Sequence, residues 1–314
     1  GIKREIHHDE WVNFAHNRNC ALQHAKGKTD YVLIFDADDR FEGTFELPEE
    51  LTSDRYYFRM ANSVTGANVY FRTLMFRNDG SFYWRGVLHE FVEQRKKTVV
   101  EQKIFGDYYV ISGRFGARSN NPQKYFQDAQ VLEKAFYSPE DEDLKDRYAF
   151  YTAQSYRDAD MPEKAIEWYA KRANLGGWYE EVYYSLLQIA LLKIELNASL
   201  NEIQNLLLAT YEYRPQRAES LYHLARQLRY HNKASLAYIY ATVAANIPLS
   251  KDILFVDHSV YEWKAKEELA MSANSVGNYQ LCHDLCVELL FNPAVPEPNR
   301  KLLLDNLKLA KEHL

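Results

Sequence analysis

The feature that most constrains the fold is a change of hydrophobic period partway along the chain. Up to about residue 115, short apolar runs alternate with turns: YVLIF at 31–35, RYYFRMA at 55–61, NVYFRTLMFR at 68–77 and SFYWRGVLHEFVE at 81–93. Beyond about residue 122 the strand period vanishes and a helical period takes over to the end. A strand buries alternate side chains and a helix buries a stripe, so the two stretches call for different packing. The chain therefore reads as a strand-rich α/β part followed by an all-α part.

Within the first part, NFAHNRNCALQHAKG (13–27) reads as a helix closed by Gly27. YVLIF has little alternation, which predicts burial on both faces, as in a central strand of an α/β sheet. Asn78-Asp79-Gly80 is a hairpin-turn signal between two of the strands. In the second part, YFQDAQVLEKAF (125–136) reads as a connecting helix and the acidic SPEDEDLKD (138–146) as a boundary. RYAFYTAQSYRDADMPEKAIEWYAKRA then has the shape helix, turn, helix, and similar units begin near Glu180, Ala218 and Lys264. A period in the mid-thirties of residues fits a tetratricopeptide-like helical-hairpin array. A helical scaffold without a site of its own weighs as much here as a peptide-binding groove. The expected domains are residues 1–121, a linker at 122–146, and a helical domain at 147–314.

Charge and composition exclude some functions. The 314 residues carry a net charge of −6, which argues against a general nucleic-acid binder. No run of 18 apolar residues is present, so no membrane span is expected, and no signal peptide is read at the start. Cys20, Cys282 and Cys286 form neither a disulfide framework nor a zinc motif, and are read as reduced thiols. That favours a reducing, cytoplasmic location, with peripheral membrane association as the variant. Asn197-Ala198-Ser199 matches a glycosylation acceptor and is read as chance.

YVLIF runs straight into Asp36, Asp38 and Asp39. On a strand, Asp36 and Asp38 lean the same way and repel one another. A divalent cation resolves that conflict, and hard oxygen ligands suit manganese or magnesium, which in turn clamp a diphosphate. The other reading is an acidic turn that caps a helix or solvates a strand end. Spacing alone leaves that turn ahead.

Four stretches add a resemblance: WVNFAHNRNCALQHAKG followed by IFDADD; FRNDGSFYWRGVLHEFVE; ISGRFGARSNNPQKYFQDAQVLEKAF; and YRPQRAESLYHLARQLR followed by IPLSKDILFVDHSVYEWKAKEELA. Together they resemble family 2 glycosyltransferases of the GT-A fold that carry a C-terminal tetratricopeptide-like tail. The resemblance implies a partial, Rossmann-like GT-A domain and a metal-dependent inverting transferase of hexosyltransferase type. It would move a sugar from a nucleotide-sugar donor, with a UDP-sugar the leading choice, to a hydroxyl on a glycan, a lipid-linked saccharide or a protein. It implies metal ligands at Asp36 and Asp38, with His89 as a candidate third. Donor contacts would come from Arg18, Asn19, Asp36 and Asp39; Arg114 and Arg118, in the glycine-bearing SGRFGARS, are read from residue type as further donor phosphate contacts, with a solvated basic loop weighing as much. Glu90 would be the catalytic base and Trp84 an acceptor contact. Adjacent strand residues face opposite ways, so a regular strand could present only one of His89 and Glu90 to a site.

The family's usual N-terminal nucleotide-binding unit has no counterpart here, since GIKREIHHDEW aligns inside the catalytic domain. His7-His8-Asp9-Glu10 is read as a solvated edge. Two rivals stand beside the transferase. One is a catalytically degenerate scaffold that recruits a protein partner through the helical tail. The other is a phosphoryl or nucleotidyl enzyme reusing the D-x-D stretch.

Overall fold

A computed structural model describes residues 5–61, 70–112 and 121–314. The chain divides into two compact units, Gly1–Ala159 and Asp160–Leu314.

The first unit opens with helix α1 (Phe14–Ala25). Asn13 starts it by accepting a hydrogen bond from the His16 amide at 2.8 Å, which satisfies one of the free first-turn donors. Eight strands follow: β1 (Tyr31–Leu33), β2 (Arg40–Gly43), β3 (Arg55–Ala61), β4 (Tyr70–Arg77), β5 (Phe82–Arg85), β6 (Phe91–Gln94), β7 (Glu101–Lys103) and β8 (Tyr108–Ile111). Six of them form one sheet in the order β1-β4-β3-β8-β2, with β7 also pairing with β3. β5 and β6 pair with each other in a separate small sheet. Helices α2 (Lys124–Phe136) and α3 (Lys145–Asp158) close the unit as a packed pair.

This topology corrects the expected fold class. A Rossmann-like GT-A sheet is built from parallel strands joined by crossover helices. Here β1–β4, β3–β4 and β2–β8 run antiparallel, and only β7 and β8 lie parallel to β3. Among the described residues no helix lies between any two strands of the sheet. Among the described residues the chain is mostly helical hairpins, with a small, largely antiparallel sheet in the first unit.

Two local expectations change with it. YVLIF is not central: β1 lies at the end of the strand order, paired with β4 alone. Both of its faces still pack on apolar neighbours, although Leu33 is 46% exposed. Val32 packs with Phe76, Phe82 and Leu22 of α1, while Tyr31 and Phe35 pack with Tyr56 and Phe58. An apolar run reports covered faces, not neighbouring strands. The Asn78-Asp79-Gly80 turn does form, with Gly80 at φ 80°, but the strands it joins belong to different sheets. The Asn78 amide instead ties the turn to the Ala25 and Thr29 carbonyls.

The second unit is helical throughout: α4 (Pro162–Leu175), α5 (Tyr179–Glu195), α6 (Leu200–Tyr213), α7 (Glu219–Tyr230), α8 (Ala234–Asn246), α9 (Ala265–Ser275), α10 (Tyr279–Leu290) and α11 (Glu297–Lys311). Each packs on the next in sequence, the arrangement of stacked hairpins. The spans α5–α6, α7–α8 and α9–α10 each form one hairpin, opening near the three unit starts read from the sequence. Alanines make the close approaches: Ala190, Ala218, Ala237 and Ala244 sit inside one core cluster, and Ala225, Ala241, Ala270 and Ala273 inside the next. A π-helical turn, Val260–Lys264, leads into α9.

Candidate functional site

Residues singled out in the first unit meet around Arg18 of α1. Its Nε donates to Glu90 at 2.7 Å and its terminal nitrogen to Asp36 at 2.8 Å. Its guanidinium also lies 4.8 Å from the centre of the Trp84 ring. Burial works against the Arg18 charge, but Glu90 and Asp36 more than offset it and hold the guanidinium above its ordinary range. Next to it, the Asn19 amide donates to the Trp84 carbonyl at 2.9 Å and accepts from the Trp84 amide at 2.8 Å. Asn19 thus pairs with β5 as a single strand residue would.

The strand expected through His89 and Glu90 breaks. β5 ends at Arg85, and the chain turns through Gly86 (φ 94°) and His89 (φ 52°) before β6 begins. The break removes the alternation rule at these two positions. Glu90 turns to Arg18, while the His89 ring stacks on Tyr151 of α3 at 3.9 Å. The His89 carbonyl accepts from Arg147 at 2.7 Å.

The acidic cluster also leaves the strand. β1 ends at Leu33, and Asp36–Asp39 form a turn closed by the Asp39 amide donating to the Asp36 carbonyl at 3.0 Å. Asp39 accepts from the Ser112 hydroxyl at 2.8 Å. Asp38 is exposed and makes no hydrogen bond or ion pair among the described residues. Trp84 is only 3% exposed, so its ring lies under Arg18 and away from solvent. Arg114 and Arg118 lie outside the described residues. Among the described residues, no group of three or more His, Cys, Asp or Glu side chains is placed to hold a metal ion. Within the unit, Arg18 pairs with two of the carboxylates, Asp36 and Glu90.

Other ionic constructions were not foreseen. The segment read as a solvated edge lies along α1: the His7 ring stacks on His24 at 3.9 Å, and His24 meets the Asp9 carboxylate at 3.1 Å. In the helical unit, α5, α7 and α9 each open on buried glutamates, Glu180 and Glu181, Glu219, and Glu267 and Glu268. Arginines meet them: Arg172 donates to Glu181 at 2.7 Å, Arg217 to Glu219 at 2.7 Å, and Arg229 to Glu268 at 2.7 Å. Arg214 and Arg217 also hold Asp252, and Glu180 accepts from the Ile253 and Leu254 amides. The loop before α9 is thereby fastened to the starts of α5 and α7. The available signal, for α5 and α7 only, was an arginine shortly before the first-turn glutamates.

No family model matches this chain, and no curated protein matches it. Solved structures do. The crystal structure of MamA shares 13% identity, covers 67% of this chain and 96% of its own, and superposes at a TM-score of 0.40. A putative kinesin light chain of Podosopora anserina with nearly identical TPR-like repeats gives 16%, 53%, 85% and 0.40. BtubC from P. vanneervenii gives 16%, 60%, 72% and 0.41. At such scores these likenesses carry no argument.

The resemblance to family 2 glycosyltransferases does not stand: among the described residues the sheet lacks the crossover topology, and no family model matches the chain. The transferase function and the enzyme assignment fall with it. A nucleotide-sugar donor and a glycan acceptor have no support. Among the described residues no helix is long and apolar enough to cross a membrane.

Proposed function

We propose that the chain is an interaction scaffold whose helical unit takes a protein partner. The supporting observation is the inverted burial of α8. A helix packed in a solenoid ordinarily turns its larger apolar side chains inward. In α8 the fully buried residues are Ala237, Ala241 and Ala244, with Tyr238 and Tyr240 partly buried beside them. Leu236, Ile239 and Val243 point out, at 40%, 53% and 39% exposure. Their spacing of three and four makes one stripe along the helix. A contiguous apolar stripe on a stable hairpin is what an apolar face of a partner protein requires.

A photo-crosslinking side chain at position 239, with Asn205 of α6 as the control position, tests this. The expected result is one crosslinked protein seen from 239 and not from 205. Its purified form should bind Ile239→Asp at least tenfold more weakly than the parent chain, with melting temperature unchanged. Equal crosslinking from both positions overturns the reading. So does a crosslink to a second copy of this chain alone, which would make the stripe a self-association face.

A further inference from the structure

A recess of about 270 Å³ lies in the first unit between α1 and the Asn78–Gly80 turn. Leu22, Phe76 and Phe82 supply its apolar lining, and the two phenylalanines are 1% and 4% exposed. Its walls are held in place by two asparagines. Asn19 pins α1 to β5 through both Trp84 backbone groups, and Asn78 pins the turn to the end of α1. Both tethers lie wholly within the unit and fix the walls of the recess.

Arg77, also on the wall, is paired with Asp54 at 3.3 Å. Lys26 and Arg95 have no acidic partner among the described residues. Arg95 lies over the Tyr83 ring at 4.2 Å, and its Nε donates to the Gly80 carbonyl at 3.3 Å. Its terminal nitrogens make no hydrogen bond to the described residues and stand at the mouth of the recess. On a chain of net charge −6, two cations without an acidic partner among the described residues, both lining one recess, favour an anion.

We propose that this recess binds an aryl phosphate group. A phosphomonoester carries roughly −1.5 to −2 charge near neutrality, which matches two cations. Arginine forks onto phosphate oxygens, and lysine adds a point charge. The apolar lining and the Tyr83–Arg95 stack suit the flat ring. The group has two sources, a free aryl phosphate or a phosphotyrosine side chain on a peptide. The site is separate from the α8 stripe and does not rest on the scaffold reading.

Calorimetric titration of the full chain with phenyl phosphate tests the proposal, with inorganic phosphate and a short phosphotyrosine peptide in parallel. Phenyl phosphate should bind at least tenfold more tightly than inorganic phosphate. Arg95→Gln and Lys26→Gln, both exposed positions, should each weaken it about tenfold at unchanged melting temperature. Tighter binding of the peptide assigns the peptide source, and weaker binding assigns the free molecule; either order supports the site. No binding of phenyl phosphate overturns it. Binding unaltered by both substitutions, or equal affinity for inorganic phosphate, also overturns it.

Discussion

Arginine staples carboxylates in both units, but at different depths. Arg18 in the strand-bearing unit has a side chain 19% exposed, and its partners Glu90 and Asp36 are 10% and 36% exposed. Arg217 in the helical unit is fully buried, with Glu219 at 2% and Asp252 at 4%. The chemistry is the same and the consequences are not. A buried ion that loses its partner retains its full desolvation cost, whereas a half-exposed one turns to water. The helical unit also sets its glutamates in the first turns of helices, where the backbone dipole favours an anion before any arginine arrives. Its staples belong to the repeated architecture, while the Arg18 staple belongs to three segments brought together by loops.

The largest effect is expected at Arg217. Its fork on Glu219 also positions that carboxylate to accept from Tyr261 at 2.9 Å. Arg217→Ala leaves Glu219 and Asp252 buried, although Arg214 still holds Asp252. Chemical denaturation should show a loss of about 4 kcal/mol. A loss under 1 kcal/mol would place the pair with ordinary surface bridges and erase the contrast between the units.

A second effect depends on pH. Burial, together with the Arg226 and Lys264 cations, pushes His223 of α7 down to about 4 from 6.5 for the free imidazole, although Asp257 pulls the other way. The unfolded chain therefore takes up this proton more readily than the folded one. The contribution is complete above the unfolded value and is lost as pH falls towards the folded one. Between pH 7.5 and 4 that amounts to about 3 kcal/mol. His223→Gln should flatten the pH dependence of stability by that amount. Retention of the full slope would mean that carboxylates alone set the acid sensitivity of the helical unit.

These buried charges explain what could be read from the sequence and what could not. The hairpins were legible because stacking imposes a helical period and small residues, as at Ala149, Ala153 and Ala165, all fully buried. The glutamates opening α5, α7 and α9 were not, because a first-turn glutamate looks the same whether it faces water or an arginine. Arg229 and Glu268 are 39 residues apart, and no local pattern joins them. Around Arg18 the residue types were legible and their geometry was not. The D-x-D spacing implied a strand, and the chain made a turn. His89-Glu90 implied alternation, and a left-handed residue removed it. Short motifs were informative about chemistry only while the assumed backbone held, and it failed at both.

The smallest effect is at Arg18, where it can be separated into parts. Arg18→Ala should cost about 2 kcal/mol, between the values for exposed and buried pairs. Glu90 accounts for most of that, being the more buried partner, while Asp36 can recover water. In the Arg18→Ala background, Glu90→Gln should therefore be close to neutral, because it removes the stranded charge. In the parent chain the same substitution should cost about 1 kcal/mol, since an amide is a weaker acceptor for the guanidinium. The double-mutant cycle should thus give a coupling of about 1 kcal/mol. A coupling near zero would make the Arg18 knot a surface feature and widen the difference between the units. A coupling as large as the Arg217 effect would show that exposure of this order does not protect a staple, and burial depth could no longer be what distinguishes them.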